Sequence, residues 1–342
     1  EAFLKTHRRQ LRLRPGHRAT LRDFMMHLQD QGVIVVCGAS TEQPQLGLEK
    51  RYEDHLRKEC GLTVATVESY SRFVRRFLLQ HLNKEPSALK KLSARKVADF
   101  VVKNTESMGC NRAKLMVAAL RSFFRFLLKE DEVAVDLAAS VLGVATRAHS
   151  TVPRYISDRE VEELLVSCDR DTPVGRRDYA ILLLLARLGL RAGEVAALQL
   201  EDIDWRSGEI QVLGKGQVRD RLPLPSEIGE AVVEYLQRDR PRSLSRRVFL
   251  RMRAPRQGLG TVTAVSNLVR RALSRAGLKP PLKGAHLLRH SLATSLLRKG
   301  ATMAEIGELL RHHSPATTAI YAKVDTASLR ALARPWPMRG AR

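Results

Sequence analysis

Two histidine-bearing stretches in the last third of this chain carry groups able to act on a phosphodiester. His286-Leu287-Leu288-Arg289-His290 is followed by Arg311-His312-His313-Ser314 and then by Tyr321. Upstream, Gly189-Leu190-Arg191-Ala192-Gly193-Glu194 offers a second arginine, and Gly214-Lys215-Gly216 offers a lysine. Guanidinium groups fork hydrogen bonds onto phosphate oxygens. A phenol becomes a nucleophile once it is helped to lose its proton. Together these groups describe a site that grips a phosphodiester with fixed charge and attacks it with tyrosine, cutting and rejoining DNA without a metal.

Each feature has a plainer reading as well. His286 and Arg289 are three apart, so a helix puts both on one face; His290 is expected to point elsewhere and to pack against the core. Nine residues separate His312 from Tyr321, and spacing alone does not choose between His312 and His313. Glu194, three residues beyond Arg191, is in reach to orient side chains on the same face, though a surface Arg–Glu pair is the commoner meaning. Lys215 sits between glycines that let a turn approach a ligand closely. From there it could protonate a leaving oxygen, but basic turns are common. His286, His290, His312 and His313 could be drawn together around a metal. No carboxylate or cysteine joins them at ligand spacing, so neither a metal nor another cofactor is expected.

The composition points to a polyanion. Lys and Arg number 59 against 36 Asp and Glu over 342 residues, a net charge of +23. Released counterions drive such a protein onto nucleic acid, in preference to an anionic membrane surface. The length suggests two domains, and an apolar fraction of 44% is enough for real cores. Cys37, Cys60, Cys110 and Cys168 are scattered, which fits neither a disulfide framework nor a zinc site and suits a reducing compartment. The longest apolar run, residues 180–186, is too short for a bilayer. No signal-peptide pattern opens the chain. Because it starts at Glu1 and not Met, the natural start is expected upstream.

The elements that must position these groups are mostly helical. Residues 1–47 read as a basic extension. Within it, residues 20–31 have helical spacing, with Leu21, Phe24, Met25 and Leu28 on one face, ended by Gly32. A linker is expected over residues 37–47. Residues 48–143 read as a helical domain. Thr63 caps one helix (Val67, Tyr70, Val74, Phe77 and Leu78 inward), and Ser93 caps another running through Val102. A third helix spans residues 111–129, with Leu115, Ala118, Ala119, Ser122, Phe123, Phe126 and Leu127 inward. Arg72, Arg75, Arg76, Lys114, Arg121 and Arg125 interleave with these stripes and are candidate phosphate contacts. Residues 144–153 form a second linker, and residues 154–325 a larger, mostly helical domain. A capping box, Ser157 to Glu160, opens that domain. About three antiparallel strands lie between residues 203 and 224, around Gly214-Lys215-Gly216. Helices follow near residues 226–238, 262–276, 286–299 and 303–310. The tail, 326–342, holds a short helix ended by Pro335 and Pro337. The expected fold class is mainly α with a small antiparallel sheet in the second domain.

In the order and content of these motifs, residues 48–325 resemble the tyrosine recombinases of the phage-integrase family, in the compact layout of its Xer members. The family order of Arg, Lys, His-x-x-Arg, His and Tyr falls here on Arg191, Lys215, His286, Arg289, His312 and Tyr321. The resemblance selects His312 over His313, because the family pattern continues with Ser and a Thr-Thr pair, here Ser314 and Thr317-Thr318. Two positions depart from it: Arg311 stands where glycine is usual, and Leu188 where a threonine-type residue is usual.

The resemblance implies a two-domain clamp on double-stranded DNA, with a helical core-binding domain and a catalytic domain. It implies that Tyr321 forms a 3′-phosphotyrosyl link, with His286 as base or proton carrier and Lys215 as acid. Arg191, Arg289 and His312 would stabilise the phosphorane, with Glu194 in support. It further implies a homotetramer, or a hetero-assembly with related recombinases, on specific recombination sites. The tail would dock on a neighbouring protomer, in a bacterial or archaeal cytoplasm. A type IB topoisomerase and a DNA-binding protein without activity are the rival readings. No large insertion lies between Lys215 and His286. The basic segment before residue 48 favours integration, excision or transposition of a mobile element over Xer-type resolution of chromosome or plasmid multimers.

Overall fold

The first helix described along its whole length begins inside a stretch whose proline and glycine mark it as linker. α1 runs Pro44–Lys58, so the expectation of a linker up to residue 47 is corrected. Proline is well placed in a first turn, where its missing N–H has no partner to lose. α2 (Val64–His81), α3 (Ala94–Thr105) and α4 (Cys110–Lys129) complete this part of the chain. Ser93 caps α3 by accepting the Lys96 N–H. Tyr52, Leu56, Phe77, Phe100, Phe123 and Phe124 fill the centre. Phe77 meets Phe100 and Phe124 edge-on, with centroids 5.0 and 5.3 Å away, the geometry that ring quadrupoles favour.

The computed structural model describes residues 44–81, 92–144, 152–214, 219–312 and 314–324, and the isolated positions Phe24, Met25, Leu28, Gln31, Val33, Leu89 and Arg330. Two compact units emerge, Glu1–Thr146 and Arg147–Arg342. Most of the basic extension, including Gly32, lies outside the described residues, as do the turn around Lys215 and nearly all of the tail. Phe24, Met25 and Leu28 are helical, as expected, and Phe24 and Met25 are exposed.

The inward face of α4 is as expected at Ala119, Phe123, Phe126 and Leu127, which are buried, and is corrected at two other positions. Leu115 and Ala118 are exposed, while Met116, Leu120 and Phe124 are buried. Residues 115–120 are apolar without a break, so their periodicity carries no phase.

In the second unit, α5 (Asp158–Val166) opens with the expected capping box. α6 (Pro173–Arg187) is buried at every position from Ala180 to Ala186, as a helix packed on all sides must be. α7 (Ala192–Ala197) follows. The sheet has order β1-β2-β3, from Ile203–Asp204, Glu209–Leu213 and Arg219–Pro223, all antiparallel. Ile210, Val212 and Leu222 point into the core. α8 (Ser226–Arg238), α9 (Val262–Arg275), α10 (Ala285–Arg298), α11 (Met303–Leu309), α12 (Pro315–Thr318) and a 3₁₀ helix, Ala319–Val324, complete it. The whole is mainly helical with one small antiparallel sheet, the expected class. Among the described residues no helix is long and apolar enough to cross a membrane.

The buried face of α4 gives a direct test. Leu120→Ala should cost about 2–5 kcal/mol in a urea unfolding experiment, the range for emptying a packed leucine site. Leu115→Ala should stay within about 0.5 kcal/mol, as surface changes do. Equal losses would mean that the α4 face is assigned wrongly.

Candidate active site

The site is assembled from helix ends. After α6 the chain turns through Gly189, whose φ is +59°. A Cβ there would stand 2.6 Å from Leu310 Cδ2, so glycine lets this loop approach the end of α11 without displacing that side chain. The approach brings the Gly189 carbonyl to Arg289 on α10. Arg289 donates from Nη1 to that carbonyl and from Nη2 to the carbonyl of Leu310. Its side chain is buried. Burial, then the charges of Arg191 and Arg311, push its pKa down to about 10, which still leaves it charged at neutral pH.

Arg191 is the N-cap of α7, and Glu194 stands three residues on. Buried Glu194 accepts the Arg191 backbone N–H at 2.8 Å and Arg191 Nη1 at 2.7 Å. It also accepts Arg311 Nη2 at 2.7 Å. The expected orienting role of Glu194 thus has a geometry, one carboxylate shared by two guanidinium groups.

α11 ends in a Schellman arrangement. The N–H of Arg311 bonds to the carbonyl of Glu308, and that of His312 to Gly307, each at 2.9 Å. Arg311 takes the left-handed position, φ +54°, where glycine is usual. The motif delivers His312 to the site. His312 Nδ1 shares a 2.7 Å hydrogen bond with Thr318 Oγ1, and its ring lies nearly parallel to Tyr321, centroids 6.5 Å apart. Burial, then Arg289 and Arg191, lower its pKa to about 4.

Tyr321 projects from the 3₁₀ helix into a small apolar cluster with Ala293, Ile306 and Leu310. It is 1% exposed. Burial pushes its pKa up to about 12, against the pull of Arg289. Its hydroxyl shares a 2.9 Å hydrogen bond with His290 Nδ1. This corrects the expectation for His290: it does not point away from the site but meets the phenol. The overlooked signal was the spacing from His286, since residues four apart on a helix are neighbours; the two rings lie 6.4 Å apart. Burial, then the charges of His286 and Arg289, lower the His290 pKa to about 4. Burial, then Arg289 and Arg191, lower that of His286.

Arg191, Glu194, His286, Arg289, His312 and Tyr321 therefore gather in one region of the second unit. Lys215 and His313 lie outside the described residues. In the first unit, Arg72, Arg76, Lys114 and Arg125 are exposed. Arg75 is exposed too but pairs with Glu49 at 2.7 Å, and Arg121 is spent on the Val141 carbonyl at 2.9 Å. Among the described residues no group of three or more His, Cys, Asp or Glu side chains could hold a metal ion.

Residues 154–328 match the phage integrase family, and residues 50–131 match the phage integrase N-terminal SAM-like domain. The chain belongs to the phage integrase family. This integrase-family protein is 45% identical over 324 residues to y4rA of Sinorhizobium fredii, named as an integrase/recombinase, covering 94% of this chain and 79% of that one. It is 30% identical to tyrosine recombinase XerD of Listeria monocytogenes over 279 residues, covering 80% and 92% of the two chains. Among solved structures, the fold is shared with XerH recombinase in its post-cleavage complex with difH (TM-score 0.65, 24% identity, 83% of each chain). It is also shared with a lambda integrase dimer on a core site (TM-score 0.61, 19% identity, 86% of this chain and 99% of that one). This integrase-family protein is a tyrosine recombinase.

The buried histidines set an acid limit on the fold. His290 and His312 take up protons near pH 4 when folded, against 6.5 as the ordinary value. Between these values the unfolded chain binds more protons, so lowering the pH favours unfolding. The melting temperature should fall as pH drops from about 6.5 towards 4, and His312→Asn should make that fall shallower. Parallel pH profiles for the two proteins would show that His312 is not responsible.

Proposed function

We propose that this recombinase moves a mobile DNA element, with Tyr321 as its nucleophile. The observation that supports the chemistry most strongly is the convergence of Arg191, Arg289, His312 and Tyr321 from four separate elements. The Tyr321 oxygen attacks the scissile phosphorus, the bond to the 5′ oxygen breaks, and a 3′-phosphotyrosyl link remains. Lys215 gives the leaving oxygen its proton. Arg191 and Arg289 stabilise the negative charge that builds on the phosphorane. In the tautomer whose Nδ1 accepts from Thr318 Oγ1, a neutral His312 carries its proton on Nε2, where it can donate to a phosphate oxygen.

His290 replaces His286 as the nearest acceptor for the phenol proton, with His286 one place removed along the same face. A bound 5′-hydroxyl of the partner strand reverses the first step and completes the exchange. The phosphodiester energy is kept in the covalent link, so the reaction calls for neither ATP nor a metal.

In this reading residues 48–143 act as a core-binding domain and residues 154–325 as the catalytic domain on double-stranded DNA. Phosphate contacts come from the exposed Arg72, Arg76, Lys114 and Arg125. The active form is a tetramer of this chain or an assembly with related recombinases in a bacterial or archaeal cytoplasm, and the tail links protomers. The higher identity to the integrase/recombinase of Sinorhizobium fredii than to XerD supports a mobile-element role. The broad coverage of XerD keeps multimer resolution as the second reading.

A nicked suicide substrate from the flanks of the gene tests the chemistry. The wild type should form a covalent adduct, also in excess EDTA, and Tyr321→Phe should form none while still binding DNA. An adduct in Tyr321→Phe would remove the tyrosine from its assigned role, and loss on chelation would point to a metal-dependent nuclease. Arg289→Ala should slow adduct formation roughly a hundredfold to a thousandfold, the usual loss for one transition-state donor, with much less effect on affinity. Equal losses in both would mean that Arg289 only grips DNA.

A further inference from the structure

Arg311 breaks several local rules at once. Its φ of +54° suits glycine. Its guanidinium is 7% exposed, so a charge is held away from water. Nε and Nη1 are buried with no hydrogen-bond partner. Native structures retain such violations mainly where function requires them.

What the guanidinium does hold is Glu194. Arg311 Nη2 stands 2.7 Å from Oε2, while Arg191 Nη1 takes Oε1 at 2.7 Å. The Arg311 carbonyl accepts Arg191 Nη2 at 3.3 Å. On its other side Arg311 Nε lies 3.7 Å from Asp220 Oδ2 on β3. A carboxylate with both oxygens free pairs with a guanidinium through two parallel bonds. Oε2 also accepts the Arg191 backbone N–H at 2.8 Å; left with that one bond, Glu194 would draw the Arg191 fork down onto itself and neutralise it.

We propose that Arg311 is a positioning residue of the strand-cleavage reaction. By occupying one oxygen of Glu194 it leaves Arg191 anchored at Nη1, and its carbonyl sets the tilt of that guanidinium. The remaining N–H groups of Arg191 are then directed at the scissile phosphate. This inference rests on the recombinase reading above.

Arg311→Gly removes the side chain and is suited to the backbone conformation, so the fold should tolerate it. Adduct formation on a saturating suicide substrate should slow about tenfold to a hundredfold, as expected for a misplaced catalytic group, with little change in DNA affinity. Arg311→Lys, which keeps the charge and loses the fork, should fall between. In a Glu194→Gln background, where the shared carboxylate is gone, Arg311→Gly should cause no further loss, because coupled residues do not add. Arg311→Asn, also compatible with a positive φ, serves the same comparison if the glycine variant does not fold. A wild-type rate in both small variants, an equal loss with and without Glu194, or a loss of affinity matching the loss of rate would each overturn the proposal. A wild type that forms no adduct at all would instead overturn the recombinase reading.

Discussion

Three guanidinium groups share one small volume in this protein, and a single buried carboxylate is bonded to two of them. Like charges 4 Å apart repel by about 4 kcal/mol at an effective dielectric of 20, so the cluster needs acceptors built into the fold. Arg289 finds them in the carbonyls of Gly189 and Leu310, and Arg191 and Arg311 find Glu194. Leu310 closes α11, and the C-terminal ends of helices are where carbonyls lack partners and the macrodipole favours cations. The need to hold positive charge in place thus explains why Arg289 reaches from α10 to the carbonyls at the C-terminal ends of α6 and α11.

That requirement propagates outward. α6 is buried on every side, which fixes the point where its last turn gives way to Gly189 and Arg191. α10 serves two neighbourhoods: Arg289 faces the arginine cluster, while His286 and His290 lead along the helix to the phenol. The short segment from His312 to Tyr321 closes the circuit through Thr318. Its core, with Ala293, Ile306 and Leu310, is separate from the main one and small. Tyr321 is therefore buried in a cluster of its own, while α6, which leads to Arg191, lies in the main core.

Much of this was legible in the residues. The capping box at Ser157, the strands around Gly214 and the order Arg191, Glu194, His286, Arg289, His312, Tyr321 each carry a local signal, a hydrogen-bonding side chain or a fixed spacing. What escaped had none, or had a misleading one. α1 begins with Pro44 and passes through Gly47, so its first turn resembles a linker. α4 is apolar at six consecutive positions, so nothing in the pattern separates Leu115 from Met116. His290 was judged by its neighbour Arg289 and not by His286 one turn earlier. The role of Arg311 depends on Glu194, 117 residues away, a distance no periodicity spans.

The surplus of positive charge around Glu194 also couples the lifetime of the molecule to its substrate. An anion that settles among these groups binds the folded chain and not the unfolded one, and so adds to its stability in proportion to the logarithm of its concentration over its dissociation constant. DNA brings such an anion at very high local concentration. A copy seated on its site opens and is degraded more slowly than one adrift. Turnover by cellular proteases would then fall first on the unseated copies, trimming the supply of recombinase towards the number of sites it can occupy.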